Sequence, residues 1–267
     1  MHYRRFGRSE LMTAEVGIGT RALATLDAAD ATATIDAAVG LGVTIIEFDV
    51  TDEAALERLA PVVARVRVQL LLVASGDGDE ATARAALDRL GTPRFDAYLA
   101  QGPHPDLGAA QALGLAGLTR TVGLTTDAPE QALAAVLEGG IDLVQLPFHP
   151  PLPPDEPTLL TGIDAVLNAA QAADIAVLTC SPLAGGRLGS QTPESRREAL
   201  AFLEAGAPRS MQQGLVAWAL SEPRLAAVVC GPRTPAQAIE CAQASGLAPL
   251  PPALLERVIR ALQTAPD

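Results

Sequence analysis

Short apolar runs alternate with longer amphipathic stretches along the whole chain. Eight runs have the length and continuity of buried strands, at 14–19, 44–48, 68–74, 96–101, 120–124, 143–146, 175–179 and 226–230. Helical patterns such as EATARAALDRLG and PEQALAAVLEGG lie between them. Continuous apolar strands that alternate with helices are typical of a parallel sheet covered by helices.

Eight strand–helix units favour a closed (β/α)8 TIM barrel over an open doubly wound sheet, because each unit has about 33 residues, the usual size of a βαβ step. No strand is followed by GxGxxG; the nearest segment, SGDGDE at 75–80, is acidic and would repel a pyrophosphate. We find no linker, so 1–267 is expected to be a single domain with a short N-terminal hairpin and an extra C-terminal helix. The Pro-rich stretch 147–157 is expected to form a long loop over one barrel end.

Helix signals accompany this pattern. Asp127 precedes the PEQALAAVLEGG segment and Glu130 follows three residues later, which predicts a capping box, and Gly139 is expected to stop the helix.

The working residues of such barrels lie where the strands end, on the C-terminal face. This rule selects polar residues that follow the predicted strands: Thr20, Glu47, Asp49, Ser75, Gln101, His104, Thr125, Thr126, Gln145, His149, Ser181 and Arg233.

Charge and composition narrow the function. A net charge of −12 and a pI near 4.7 argue against a nucleic-acid partner, although a few arginines and helix N-termini can hold an anionic cofactor. No apolar run approaches the ~18 residues of a membrane span, and no signal peptide opens the chain. We therefore expect a cytoplasmic protein that acts on a small molecule, with no membrane partner.

The numbers of cysteine, lysine and tyrosine residues limit the chemistry that the chain can perform. The three cysteines fit neither a disulfide framework nor zinc spacing, and no metal site is predicted. All 19 basic residues are arginine, so the chain has no lysine, and it has only two tyrosines, Tyr3 and Tyr98.

Several segments, in order, resemble the aldo-keto reductases. The opening YRRFGRSELMTAEVGIGT is similar to that family's YRxLGxSxLxVSxLGLGT, and the likeness continues at ALDRLGTPRFDAYLAQ, LTRTVGLTT, GIDLVQLPFHP, IAVLTCSPLAGGRLG and VVCGPRTPAQAIE. The resemblance covers nearly the whole chain. It implies a nicotinamide cofactor, usually NADP(H), across the strand ends, and a monomer.

The resemblance also implies the residues that hold this cofactor. Thr125 and Thr126 stand where the family's Ser-Asn pair holds the carboxamide, Gln145 matches a Gln that also holds it, and Phe148 lies near the stacking aromatic residue. The 181–189 segment matches the loop over the pyrophosphate, and the 231–240 segment matches the site for the adenosine and its 2′-phosphate. The positions carried over, with Thr20, are Ser181, Leu183, Gly185, Arg187, Gly231, Arg233, Gln237 and Glu240. Independently of the family, a GPR turn leading into a helix at Pro235 offers free N–H groups beside a fixed positive charge, which suits a phosphate.

The chemical half of the family's site is missing from the sequence. The family reduces carbonyls with an Asp, a Tyr, a Lys and a His. Glu47 falls on the Asp position, but the loop after it is shorter and has lost the Tyr; Ser75 stands for the Lys and Gln101 for the His. Strand alternation turns Tyr98 toward the helices, and Tyr3 belongs to the hairpin. The usual tetrad, and with it the usual mechanism, is therefore expected to be absent.

The groups that remain near the site are Glu47, Asp49, Asp52, His104 and His149. Glu47, Asp49 and His104 are the candidates for handling the proton, with Gln101 and Ser75 beside them. Glu47 at a strand end inside an apolar barrel would have a raised pKa from desolvation, unless an Arg or backbone donors pair with it.

Three functions stay open. The first is an oxidoreductase that uses NADP(H) without the tetrad, on a substrate such as an iminium that needs no protonated oxygen. The second is a non-redox dehydratase, isomerase, lyase or cyclase, with the cofactor lost. The third is a catalytically silent protein that binds NADP(H) without using it.

Overall fold

Eight parallel strands close into a barrel in the computed structural model, which describes residues 1–152, 158–205 and 209–264. The barrel order is β10-β3-β4-β5-β6-β7-β8-β9. These strands are β3 (Val16–Gly19), β4 (Ile45–Asp49), β5 (Leu71–Gly76), β6 (Phe95–Ala100), β7 (Thr119–Thr125), β8 (Leu143–Pro147), β9 (Ala176–Cys180) and β10 (Ala227–Cys230). The predicted (β/α)8 barrel is confirmed.

The first predicted strand divides in two. Its first residue ends a short antiparallel hairpin, β1 (Tyr3–Arg5) and β2 (Met12–Ala14), which is the expected N-terminal hairpin. Glu15 separates the hairpin from β3. The third predicted strand begins later than expected, because 67–69 form a 3-10 turn in which Val68 is 97% exposed. An apolar residue there gave a misleading strand signal.

Ten helices are described. They are α1 (Ala28–Gly40), α2 (Glu53–Val66), α3 (Glu80–Leu90), α4 (Leu107–Leu115), α5 (Pro129–Glu138), α6 (Thr158–Ala172), α7 (Glu194–Leu200), α8 (Met211–Leu220), α9 (Pro235–Gln243) and α10 (Pro252–Thr264). The last is the expected extra C-terminal helix. None of those described has the length and apolarity that a bilayer crossing requires.

Alternate residues of each barrel strand point inward. The inner core consists of small and branched side chains such as Ile45, Val73 and Leu99, while their strand neighbours face the helices. Phe6, which is 1% exposed, joins this inner core from the loop after β1. Its ring closes the N-terminal end of the barrel, so the C-terminal end is left as the mouth.

The start of α5 differs from the sequence prediction. Its N-cap is Ala128, with Pro129 at the first helical position and no side-chain cap from Asp127. The hydroxyl of Thr126 instead accepts a hydrogen bond from the Ala128 N–H at 3.1 Å. The predicted Asp127–Glu130 capping box is wrong, because Pro129 prefers the first helical position and moves the cap one residue on. Gly139 ends the helix, as expected.

The Pro-rich loop is described only in part. His149 is 9% exposed, and its Nδ1 lies 2.9 Å from the carbonyl oxygen of Pro150. The 153–157 part of the predicted loop lies outside the described residues.

Candidate active site at the barrel mouth

Glu47 lies on the inner wall of the barrel near its mouth. It is half-buried on β4, two residues after the inward Ile45, and is paired in register with Gly19 of β3. A Cβ atom on Gly19 would lie 2.7 Å from Oε2 of Glu47, so the glycine leaves the space that this carboxyl group occupies. Burial raises the pKa of Glu47 from 4.5 to about 7; Asp49 adds to the rise and Arg21 opposes it.

Asp49, the next inward residue of β4, is held by three donors. Its Oδ2 accepts a hydrogen bond from Nε2 of Gln101 at 2.6 Å. Its Oδ1 accepts from the N–H of Thr51 at 2.8 Å and from the Thr51 hydroxyl at 2.6 Å. The structure therefore brings Asp49 and Gln101 together, although they are 52 positions apart in sequence.

The other candidate catalytic residues are divided between the mouth and the surface. Ser75 is 2% exposed on β5, and its hydroxyl donates to the carbonyl oxygen of Phe48 at 3.3 Å. His104 is exposed on the loop after β6. It makes no hydrogen bond or ion pair with another residue that the structure describes, so no such contact holds it near Glu47. Asp52 caps α2 through the N–H of Ala55 at 3.0 Å, which is a structural role.

A buried amide on the opposite wall has an unused donor. Gln145 on β8 is 2% exposed, and its Oε1 accepts a hydrogen bond from the Thr125 hydroxyl of β7 at 3.0 Å. Its Nε2 has no hydrogen-bond partner. The hydroxyl of Thr20, a residue that is 1% exposed, likewise has none. A buried polar group without a partner is costly, so these two atoms point to a ligand.

Two predicted cofactor residues are used in local structure. The Thr126 hydroxyl accepts a hydrogen bond from the Ala128 N–H at the start of α5 and donates one to Oε1 of Gln131. Phe148 is 9% exposed and packs on Trp218, with ring centroids 5.0 Å apart. This packing argues against the predicted stacking role of Phe148, because β8 alternation turns it toward the helices.

The predicted pyrophosphate loop is a series of tight turns after β9. Ser181 is exposed and has a φ of 55°, and its carbonyl oxygen accepts a hydrogen bond from the Ala184 N–H at 2.8 Å. A short 3-10 turn, Ala184–Gly186, follows. Leu183 is half-buried, whereas Gly185 and Arg187 are exposed.

The predicted adenosine segment begins α9. Thr234 caps the helix, accepting from the N–H of Gln237 at 3.2 Å, and Oε1 of Gln237 accepts from the N–H of Arg233 at 2.8 Å. Gly231 and Arg233 are exposed, and no described residue pairs with the Arg233 guanidinium. Glu240 is half-buried and accepts a hydrogen bond from the Ser210 hydroxyl, which ties it to α8.

Two residues near Glu47, Arg21 and Cys180, were not singled out from the sequence for the site. Arg21 is exposed immediately after Thr20, and Cys180 ends β9. Burial raises the pKa of the Cys180 thiol to about 12, with further contributions from Glu47 and Asp127. Both residues lie at or just after strand ends, so the rule that selected the other candidates would also have found them.

The other places that could bind a ligand, a metal-ligating cluster or a surface hollow, have fewer features of a functional site. The described residues contain no group of three or more His, Cys, Asp or Glu side chains that could hold a metal ion. A hollow of about 560 Å³ lies between α2 and α3, lined by residues that include Glu57, Asp88 and Arg89. None of its lining residues has an unpartnered buried polar atom, in contrast to the mouth.

No protein-family model matches the sequence, and no curated protein matches it. The fold, however, is similar to solved structures. The aldo-keto reductase AKR11C1 from Bacillus halodurans, in its holo form, gives a TM-score of 0.81 at 18% identity over 100% of this chain and 98% of its own. The thermostable aldo-keto reductase Tm1743, in complex with the inhibitor epalrestat, gives 0.81 at 18% identity over 98% and 100%.

The chain has the aldo-keto reductase fold.

Both tyrosines of this barrel lie away from its mouth. Tyr98 is fully buried on the helix side of β6, where its hydroxyl accepts a hydrogen bond from the Gly78 N–H at 3.1 Å. Tyr3 is 50% exposed in the hairpin. The predicted orientations are confirmed. Since the chain has no lysine, the mouth holds neither residue type.

Proposed function

We propose that this chain is an NADP(H)-binding oxidoreductase that works without the Asp/Tyr/Lys/His set, with Glu47 as the group that handles the proton. The observation that carries the proposal is the inward carboxyl group of Glu47, whose pKa is raised to about 7 by burial. A general acid or base is most effective when its pKa lies near the working pH. The proposal includes a monomer in the cytoplasm and a small-molecule substrate.

The cofactor side has groups that fit NADP(H). The unpaired Nε2 of Gln145 can donate to the carboxamide oxygen, and Thr125 orients that amide. At the other end, the exposed guanidinium of Arg233 offers a positive charge to a 2′-phosphate beside the N-terminus of α9, where the Arg233 and Gln237 N–H groups are already bonded within the turn. When bound, the cofactor supplies the hydride. Its ring would be held by amides and hydroxyls alone, because Phe148 packs in the core.

The chemical side depends on Glu47 and Asp49. Neither Tyr nor Lys is available at the mouth, so the proton comes from the group whose pKa lies nearest neutrality. Gln101 and Thr51 hold Asp49 in place, and its negative charge raises the pKa of Glu47. Ser75 and His104 are then secondary candidates, because Ser75 is bonded to the Phe48 carbonyl oxygen and His104 is exposed.

Calorimetric titration with NADPH, NADP⁺ and NADH tests the cofactor half. We expect NADPH to bind more tightly than NADH, and Arg233→Ala to weaken NADPH about tenfold with little effect on NADH, since a charge-assisted hydrogen bond is lost. Arg94→Ala is the matched control, because Arg94 is an exposed arginine just before β6, at the opposite end of the barrel. If no nicotinamide nucleotide binds, the proposal is wrong and a non-redox site at Glu47 becomes the better explanation.

Hydride-transfer assays test the other half. With carbonyl, enone and imine substrates, Glu47→Gln should lower kcat by about 10²-fold or more, the usual contribution of a general acid. Tight NADPH binding without turnover on any of these substrates would instead favour a silent nucleotide-binding protein.

A further inference from the structure

Acidic groups outnumber basic ones around Glu47 and Cys180 in the described part of the chain. Among the described residues, Asp49 lies on the same strand, and Asp127, after β7, shares the surroundings of Cys180 with Glu47. Cys180 stays a neutral thiol, since burial raises its pKa to about 12. Arg21 is the one cation, among the residues that the structure describes, whose charge acts on Glu47. An anionic substrate would be repelled by this arrangement, whereas a cationic one would be attracted.

The mouth also carries buried atoms that lack partners. Nε2 of Gln145 is unpaired on an inward residue that is 2% exposed. The Thr20 hydroxyl is also unpaired, on the residue whose N–H donates to the Glu47 carbonyl oxygen at 2.9 Å. This hydroxyl can accept a hydrogen bond from a ligand N–H. The barrel end that holds the two carboxyl groups therefore also holds two unsatisfied polar atoms, Nε2 of Gln145 on the opposite wall and the Thr20 hydroxyl.

We propose that the mouth selects an imine and holds it as a cation, with its nitrogen against Glu47 and Asp49. The inference rests on the proposed oxidoreductase function and names its substrate class. An imine nitrogen is a far stronger base than a carbonyl oxygen, so a carboxyl group can protonate it outright. The O–H bond of Glu47 breaks, the nitrogen lone pair takes the proton, and the carboxylate that remains pairs with the charged nitrogen. The C=N carbon of this cation could then accept a hydride from the reduced nicotinamide of the proposed function, giving the amine and the oxidised nucleotide, without a second acid, which suits a mouth that has no tyrosine or lysine.

Binding of a fixed charge tests the inference without any cofactor. The probe is N,N-dimethylpiperidinium, whose charge does not titrate, and the neutral comparison is 4,4-dimethylcyclohexanone. Calorimetric titration is run between pH 6 and pH 8. The cation should bind more tightly as pH rises to about 7 and then level off, because only the ionised Glu47 attracts it, whereas the ketone should show no such dependence.

Two variants locate the effect. Glu47→Gln should weaken the cation at least about tenfold at pH 8 and remove the pH dependence, as expected when one partner of a partly buried ion pair is lost. Asp49→Asn should weaken it but leave a pH dependence. Glu57→Gln, an exposed residue of α2 on the outer surface, makes the same change in net charge and should have no effect.

The outcomes separate the two proposals. Equal binding of cation and ketone, or a cation affinity that does not change with pH in the wild-type protein, overturns the imine assignment. If NADPH binds and cyclopentanone is reduced in preference to 1-pyrroline, the oxidoreductase stands and only the substrate class is wrong. If no nicotinamide nucleotide binds, the proposed oxidoreductase function is wrong, regardless of how tightly the cation binds.

Discussion

At the scale of single residues, the carboxyl group of Glu47 has room inside the barrel only because the neighbouring residue on β3 is a glycine. Gly19 leaves the space for its carboxyl group, and the surrounding barrel wall removes the water that would otherwise favour the charged form. From the sequence, a raised pKa was one of two alternatives for Glu47, the other being a pairing with an Arg or with backbone donors, and the structure favours the raised pKa. The sequence did not indicate that Gln101 would bind Asp49, because this contact joins the ends of two strands that are 52 positions apart in the chain.

The raised pKa of Glu47 predicts a pH-dependent change in stability. Unfolding returns its pKa to 4.5, so between pH 4.5 and about 7 the folded protein keeps a proton that the unfolded chain releases. Each pH unit in this range lowers stability by about 1.4 kcal/mol, and the cost reaches about 3 kcal/mol above pH 7. Glu47→Gln should therefore raise the free energy of unfolding by up to about 3 kcal/mol at pH 8 and leave it unchanged near pH 4.

Urea unfolding at both pH values measures this difference. Glu57→Gln, on the exposed face of α2, should change stability little at either pH. A Glu47→Gln protein that is no more stable than the wild type at pH 8 would show that the folded site already stabilises the carboxylate.

At the scale of elements, all eight barrel strands were predicted from apolar runs, but the predicted boundaries of two of these strands differ from those in the structure at Glu15 and at 67–69. The runs are continuous because both faces of a barrel strand are buried. The 3-10 turn at 67–69 and the break at Glu15 were missed, since each is decided by where neighbouring elements lie and not by local apolarity. The predicted cap of α5 failed for a local reason, the preference of Pro129 for the first helical position.

A glycine on β7 shows how closely two strands approach. A Cβ atom at Gly123 would lie 2.1 Å from the carbonyl oxygen of Leu143 on β8, and backbone cannot move aside easily. Gly123→Ala should therefore destabilise the barrel by about 3 kcal/mol. Gly40→Ala is the control, because nothing lies within 4 Å of a Cβ atom at this last residue of α1. It should stabilise the protein by about 0.5–1 kcal/mol. Equal melting temperatures for the two variants would contradict the prediction.

At the scale of the whole molecule, the N-terminal hairpin is fastened to the barrel by one buried ion pair. Nε and Nη2 of Arg4 lie 2.9 and 2.8 Å from Oε2 of Glu15, a residue that is 5% exposed. The same guanidinium donates to the carbonyl oxygens of Leu220, Glu222 and Leu225 at 2.8 to 3.1 Å. Strand β1 is thus joined to Glu15, just before β3, and to the end of α8 and the loop after it, and local sequence patterns do not reveal these long-range contacts.

Removal of this arginine should weaken the whole fold. Arg4→Ala leaves Glu15 buried without its charged partner and should cost about 3–5 kcal/mol of unfolding free energy. Arg5→Ala, in the same strand, breaks an ion pair with Asp174 in which both side chains are more than half exposed, and should cost less than about 1 kcal/mol. Thermal unfolding of the two variants measures the difference. A similar loss for both would mean that the hairpin is held by its backbone alone.

Phe6 gives the barrel a single entrance. Its ring closes the N-terminal end, so every molecule that reaches Glu47 enters and leaves through the strand ends. If a dinucleotide lies across that opening, it has to arrive before the substrate and depart after the product. Steady-state kinetics should then follow a compulsory order, with the oxidised nucleotide competing against the reduced one and the product inhibiting noncompetitively. A random order of addition would mean that the nucleotide leaves part of the opening clear.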